Sequence, residues 1–334
     1  MNRLRIGFIG AGANTRLRHL PGFAALDGVE LTAVANRSAE SSQRIVDEFG
    51  VGRLAKDWRG IVEADDIDAV CIGTWPNSHA EMTCAALAAG KHVLVEARMA
   101  DSLAAAETMA EAHQEGPGLV AQIVPSPMTL EADTTISQIL TDGRLGKLLE
   151  VRSEFANDST LDPTLPLSWR MDHRLSGINT MALGICYEPI QRWLGGDAEV
   201  ALAHAQIQTA TRMDADASER VVQIPERLSV QALWGSARLE MSQSTISEGA
   251  PRLGYQLQGT EGVLDYDITS GRMAISRPDG GIEEIEYARL PEGGWSVERD
   301  FIAAIRESLA VTRTDFATGL RYMRFTDAVW QAWQ

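Results

Sequence analysis

Three stretches of this chain carry residue types whose spacing could do chemistry. The first is Gly10-Ala11-Gly12-Ala13-Asn14-Thr15, which follows directly on the apolar run Leu4–Ile9. A tight turn at Gly10 and a bare backbone at Gly12 would let a pyrophosphate approach the amides that open the next helix. Thr15 stands where the third glycine of this fingerprint usually allows helix and strand to pack closely. The second stretch, residues 92–100 (HVLVEARMA), is a short apolar strand ending in a carboxylate and a guanidinium, Glu96 and Arg98. Ligands of a parallel sheet bind beyond the carboxyl ends of its strands, so charges placed there face a site. A solvated ion pair is the bland reading of the same two residues. The third stretch, residues 169–193, gathers Trp169, Arg170, Asp172 and His173 ahead of Asn179, Cys186 and Tyr187. Its bland readings are a surface histidine, a small buried thiol and a core tyrosine with a satisfied hydroxyl.

These residues need a scaffold, and the hydrophobic pattern supplies one. Strands are expected at Leu4–Ile9, Val29–Ala35, 68–73, from residue 92 and at 119–124. Helices are expected at 16–26, 38–49, 57–63, 80–89 and 102–115. Ser38 is a plausible N-cap for the second of these helices and Gly50 its stop, while Pro76 and Asn77 read as ending the strand before them. Strict alternation of strand and helix predicts a doubly wound parallel sheet with helices on both faces. At the end of the second strand, where an acidic residue would take ribose hydroxyls, the chain offers Asn36, Arg37 and Ser38. Replacing a negative charge with a guanidinium suits a ribose phosphate, so NADP is expected ahead of NAD; a solvated loop charge is the alternative for Arg37.

Two prolines in Pro125-Ser126-Pro127 break the alternation, and a domain boundary is expected there, dividing residues 1–124 from 125–334. Beyond a helix at 130–140, a strand at 148–155 and a helix at 180–194, the pattern turns to β: 200–210, Arg227–Trp234, 237–245, 254–259, 262–266 and 282–287. An open, mostly antiparallel sheet is the simplest arrangement. Helical spacing returns at 296–309 and 317–333.

Composition narrows the function. The 334 residues are 45% hydrophobic and 23% charged, as in an ordinary globular protein, and the formal net charge is −16. Such a charge repels phosphate backbones and anionic lipid, so no nucleic-acid or membrane partner is expected. Cys71, Cys84 and Cys186 are an odd, scattered set that argues against a disulfide framework or a structural zinc, and no metal is expected. No apolar run approaches a membrane span, and a cytoplasmic location is expected.

Taken together, the turn GFIGAGANT, the segment IGTWPNSH, the strand end GKHVLVEARMA, the block WRMDHRLSGINTMALGICYE and GTEGVLDY at residues 259–266 resemble the Gfo/Idh/MocA oxidoreductase family. The resemblance covers nearly the whole chain. It implies an α/β fold: an N-terminal Rossmann doubly wound parallel sheet plus a C-terminal α/β domain with an open, mostly antiparallel sheet. That sheet would carry a homodimer or homotetramer. By position, Thr74, Trp75, Pro76, Asn77 and His79 would line the cofactor with the glycine-turn residues, Ala97 and Trp169, and Glu96 would lie near its ribose. The implied substrates are sugars, polyols, cyclitols and related compounds.

The departures fall on the family's proton-handling residues. Glu96-Ala97-Arg98 replaces the usual Glu-Lys-Pro, and the usual aspartate and histidine of the later block are Ala182 and Cys186. Hydride transfer from an alcohol still needs a base. Tyr187, with its pKa lowered beside Arg98, is the first candidate and His173 the second. Arg98 could instead clamp an anionic sugar acid, Arg170, Asp172 and Asn179 could bond hydroxyls, and Cys186 could act only as a thiolate. The expected function is an NAD(P)-dependent oxidoreductase with a remodelled site. The alternatives are a redox-neutral enzyme that retains its nucleotide, acting as hydrolase, lyase or epimerase, and a nucleotide-binding protein without catalysis.

Overall fold

A computed structural model describes residues 3–334. The chain forms two compact units. One comprises residues 3–125 with Ser296–Leu320, the other Ser126–Trp295 with Arg321–Gln334.

The first unit contains strands β1 (Leu4–Ile9), β2 (Val29–Ala35), β3 (Arg53–Leu54), β4 (Ala69–Ile72), β5 (His92–Val95) and β6 (Ala121–Ile123). All pair in parallel, in the order β3-β2-β1-β4-β5-β6. The order reverses between β1 and β4, and a crevice for ligands opens at such a reversal. Strands β4 and β5 are almost wholly apolar because helices cover both faces of the sheet. A π-helical turn, Thr15–His19, leads into α1 (Leu20–Ala24). Next come α2 (Ala39–Phe49), α3 (Arg59–Val62), α4 (Pro76–Ala88) and α5 (Leu103–Glu115). Ser38 and Ser102 cap α2 and α5 by accepting from the Ser41 and Ala105 amides, and Gly50 ends α2 at φ 67°. Helix α4 starts four residues earlier than the pattern suggests. Pro76 does not merely stop the strand; at the first helical position it costs no hydrogen bond and its φ is already helical.

The second unit opens with α6 (Asp133–Thr141), β7 (Leu148–Ala156), α7 (His173–Ser176) and α8 (Leu183–Leu194). Strands β8 (Glu199–Gln206), β9 (Thr211–Met213), β10 (Glu219–Val221), β11 (Arg227–Trp234), β12 (Ala237–Ser244), β13 (Arg252–Gly259), β14 (Val263–Asp267), β15 (Arg272–Ser276) and β16 (Ile282–Glu284) follow. Eight of the strands make one sheet, β16-β15-β14-β13-β7-β12-β11-β8, antiparallel except for the β7–β12 pair. Alternation sets its two faces: Leu228, Val230 and Ala232 of β11 point inward, while Ser229 and Gln231 are exposed. Helix α8 covers the inward face, where Tyr255 of β13 donates to the Cys186 carbonyl and packs on Trp193. The small β9–β10 hairpin and strand β15 were not anticipated; each is five residues or fewer.

Helix α9 (Val297–Glu307) and the start of α10 (Phe316–Trp333) return to the first unit, so residue 125 marks the first crossing of the chain and not a final division. Apolar packing draws α9 back: Phe301 meets Phe23, which meets Phe8 of β1, all edge-on at about 6 Å and all fully buried. Burying each ring is worth roughly 2–3 kcal/mol.

Candidate functional site

The glycine turn sits at the carboxyl end of β1. Gly10 adopts φ 78°, a conformation that suits a residue without a β-carbon, and its amide donates to the Ala35 carbonyl. Gly12 and Ala13 are exposed, which leaves bare backbone for a ligand. Asn36 braces this turn. Its side chain accepts from the Ala11 amide at 2.7 Å and donates to the Ser41 carbonyl, tying the turn to α2. The sequence placed Asn36 with Arg37 and Ser38 as ribose contacts; Ser38 is the α2 cap, and Arg37 lies exposed with its guanidinium 4.6 Å over the Trp75 ring.

Thr15, at the place of the third fingerprint glycine, is buried. Gly73 makes room for it: a β-carbon at Gly73 would fall on Thr15 Oγ1 and 2.5 Å from the Gly10 carbonyl oxygen. The close approach that a glycine usually permits from the helix side is supplied here from β4. Gly73→Ala is therefore expected to cost about 1–3 kcal/mol through overpacking and to weaken nucleotide binding by displacing the turn. Thermal melts and a nucleotide titration would check both.

At the end of β5 lies a buried charge cluster. Glu96 Oε1 accepts from Asn14 Nδ2 at 2.5 Å and pairs with His19 Nε2 at 3.0 Å; the opposite ring nitrogen of His19 pairs with Glu298 Oε1 of α9. His19 is fully buried. Burial alone would lower its pKa, but the two carboxylates outweigh it and raise the pKa to about 9. For Glu96, burial pushes the pKa up, and the hydrogen bond from His19 more than offsets it, so the carboxyl titrates below its ordinary range. The cluster is an imidazolium between two carboxylates. Neither His19 nor Glu298 was singled out in the sequence, where they lie 279 residues apart. The available signal was a polar residue on each apolar stripe: His19 beside Leu20 and Phe23, and Glu298 beside Phe301 and Ile302.

Beyond β4, Thr74 and Trp75 are partly exposed, Asn77 is exposed, and Pro76 and His79 are buried. His79 Nδ1 faces the carbonyls of Arg98 and Met99 at 3.0 and 3.2 Å, and Nε2 faces that of Thr74 at 3.2 Å. Burial holds its pKa below the ordinary histidine value. His79 thus ties the loop after β4 to the segment after β5. Ala97 is partly exposed, the Ala97–Arg98 peptide is cis, and Arg98 is only 6% exposed.

In the second unit, Arg170 stacks on Trp169 at 4.2 Å, and the His173 ring packs 5.2 Å from that of Trp330. Asp172 is absorbed by structure: it caps α7 and binds the Arg174 guanidinium, which lowers its pKa. Asn179 is buried and donates to the Ser176 carbonyl, and Cys186 is buried in α8. Tyr187 departs furthest from expectation. It is fully buried, stacks on Phe325 at 3.7 Å, and its hydroxyl accepts from the Ala198 amide. Burial raises its pKa, the opposite of the lowering that proton exchange requires. Tyr187 is a core residue because α8 is buried on nearly every side.

Among the described residues no group of His, Cys, Asp and Glu side chains could hold a metal ion, and no helix is long and apolar enough to cross a membrane.

Comparison with known proteins adds a family match for the first unit. Residues 4–122 match the Gfo/Idh/MocA family, described as an oxidoreductase family with an NAD-binding Rossmann fold. The chain is 38% identical over 120 residues to 4-carboxy-2-hydroxymuconate-6-semialdehyde dehydrogenase of a Sphingobium species, a match spanning 36% of this chain and 38% of that protein. Over 346 residues it is 28% identical to dTDP-3,4-didehydro-2,6-dideoxy-alpha-D-glucose 3-reductase of Streptomyces violaceoruber, covering 98% and 95% of the two chains. Levoglucosan dehydrogenase, solved with NADH and L-sorbose, superposes with a TM-score of 0.87 at 20% identity, covering 99% of this chain and 96% of that one. A 3-ketoreductase from Actinomadura kijaniata, solved with NADP and TDP-benzene, gives 0.82 at 22%, covering 100% and 98%. The fold is common to nearly the full length of these structures, and it is residues 4–122 that match the Gfo/Idh/MocA oxidoreductase family.

Proposed function

We propose that this protein is an NAD(P)-dependent oxidoreductase acting on a small carbohydrate: a sugar, polyol, cyclitol or sugar acid. The observation that carries the reading is the pairing of an exposed glycine turn after β1 with a half-buried carboxylate after β5 that is held by Asn14 and His19, on either side of the β4 strand end. Such a site fits a dinucleotide: bare backbone for the pyrophosphate and Glu96 for ribose hydroxyls. The nucleotide would accept or supply the hydride. The chain would bind it through Gly10, Gly12, Ala13 and Asn14, orient it with Glu96, Thr74 and Trp75, and bond substrate hydroxyls through Arg170. With Tyr187 in the core, His173 is the remaining candidate for the substrate proton.

Arg37 supports NADP over NAD. Stacked on Trp75 and exposed, its guanidinium stands near the end of β2, where an adenosine ribose would lie. Arg37→Glu is expected to raise the Kd for NADPH by roughly 10- to 100-fold, the worth of a charge-assisted contact, with little change for NADH. Fluorescence titration of both nucleotides would check this, and equal loss for both would refute the assignment.

Ala97, Ala182 and Cys186, at the usual proton-handling positions, favour a second reading in which the nucleotide stays bound and the net reaction is redox-neutral. Incubating the protein with a panel of neutral and acidic sugars separates the two. Net change in reduced-nicotinamide absorbance supports the first reading, product without net change the second, and nucleotide binding with neither supports a non-catalytic role. We further infer a homodimer or homotetramer through the outer face of the eight-stranded sheet. There Arg152 pairs with Glu150 and Glu240, and Arg252 with Glu154, a mixed-charge surface that can complement a second copy of itself.

A further inference from the structure

We propose that His19, gripped from behind by Glu298, is a positioning residue that aims the Glu96 carboxylate at a ribose diol of the nucleotide, and that its protonation sets nucleotide affinity at alkaline pH. The proposal rests on the nucleotide-binding reading above. Its own basis is the geometry of the cluster. His19 is fully buried and cannot touch a ligand, whereas the Glu96 side chain retains 15% of its exposure at the strand end. A carboxylate faces each ring nitrogen, so both nitrogens must donate, which only the imidazolium can do. Asn14, in the turn that would hold the pyrophosphate, donates to the same Glu96 oxygen that His19 holds. One carboxylate oxygen is thereby fixed from two sides, which sets the plane of the group.

Glu298, only 3% exposed, does not contact the ligand. It keeps the imidazole charged and the ring oriented, as a carboxylate does for a histidine that must serve as a donor. The groups facing His19 include Glu96 after β5, Glu298 on α9 and Asn14 in the turn after β1; Cys71 on β4 and His79 on α4 interact electrostatically with Glu96. The Cys71 thiol is raised well above its ordinary range by burial and by both carboxylates, so it stays neutral. The His79 pKa is lowered by burial. His19 is then the group of the cluster that changes charge on the alkaline side.

The test is the Kd of NADH and NADPH as a function of pH for the wild type, Glu298→Gln and His19→Gln, with adenosine diphosphate as a fragment that lacks the nicotinamide ribose. In the wild type the Kd for the full nucleotides should be flat near neutrality and rise roughly 10-fold as pH passes about 9, the loss of one charge-assisted bond to Glu96. Glu298→Gln should move that rise toward neutral pH, and His19→Gln should abolish it. Adenosine diphosphate should bind all three proteins alike at every pH. A pH-independent wild type, an unmoved profile in Glu298→Gln, or equal weakening of fragment and full nucleotide would overturn the proposal. The wild-type profile needs no variant to fold. Absence of NADH and NADPH binding at every pH would overturn the functional reading along with it, whereas normal binding with an unmoved profile would sink only this inference.

Discussion

Replacing His19 with leucine is expected to lower the free energy of unfolding by about 3–5 kcal/mol, the cost of removing one partner from a buried ionic group. The substitution leaves Glu96 and Glu298 facing each other across an apolar side chain, and Asn14 can satisfy only one of them. The pH dependence gives this effect a signature. The folded-state pKa of His19, about 9, lies above the ordinary 6.5, so the proton is bound more tightly in the folded protein. Its contribution is fully present below pH 6.5 and is lost as pH rises through about 9. The amount is about 3 kcal/mol on the usual conversion. Glu96 runs the other way: its pKa is lowered in the fold, so its share is present above the unfolded value and lost as acid protonates the folded carboxyl. Urea melts from pH 6 to about pH 10 should show the wild type losing stability on the alkaline side. The His19→Leu protein should show a shallower alkaline limb at a lower level, and an equally steep limb in both would contradict the assignment.

His173→Gln is expected to reduce turnover by roughly 10²-fold or more, the worth of a group that moves a proton in the rate-determining step. Nucleotide affinity should hardly change, because His173 packs against Trp330 in the second unit and takes no part in the Glu96 cluster. The contrast is Tyr187→Phe. Its hydroxyl only accepts from the Ala198 amide, so turnover should stay within about twofold while stability falls by about 1 kcal/mol for the unsatisfied donor. Steady-state kinetics on both variants with one substrate decide the matter. If Tyr187→Phe loses turnover and His173→Gln does not, the proton-transfer roles are reversed.

Most of the fold was legible because its signals are local. A buried apolar run marked β1, apolar–polar alternation marked β2, Ser38 and Gly50 bracketed α2, and β character marked β11, the three strands to the residue. The family match of residues 4–122 was legible from the order of the motifs. The errors arose where a local signal has two meanings. Pro76 ends a strand and starts a helix with equal ease, and only the sheet edge decides. Tyr187 stands beside Cys186 and Glu188 in the sequence, yet α8 is enclosed, and burial reverses the pKa shift expected of it. Asn36 reads as a ligand contact but spends its amide on the glycine turn. The His19–Glu298 pair was beyond reach of any window, because it forms only when α9 returns to the first unit after the whole second sheet has been laid down. Thr15 shows the same dependence on distance, since Gly73, not a neighbour in the motif, makes its place.

On the function proposed above, this chain transfers hydride between a nicotinamide ring and a carbohydrate. The most direct measurement is to load the protein with nucleotide deuterated at the transferring position of the nicotinamide, add a panel of keto-sugars, and search the sugars for deuterium by mass spectrometry. Deuterium on carbon of at least one sugar, dependent on Glu96 being intact, is the predicted result, and it holds for net and for redox-neutral turnover. Nucleotide bound at the glycine turn with no label in any sugar would contradict the claim and leave a binding protein.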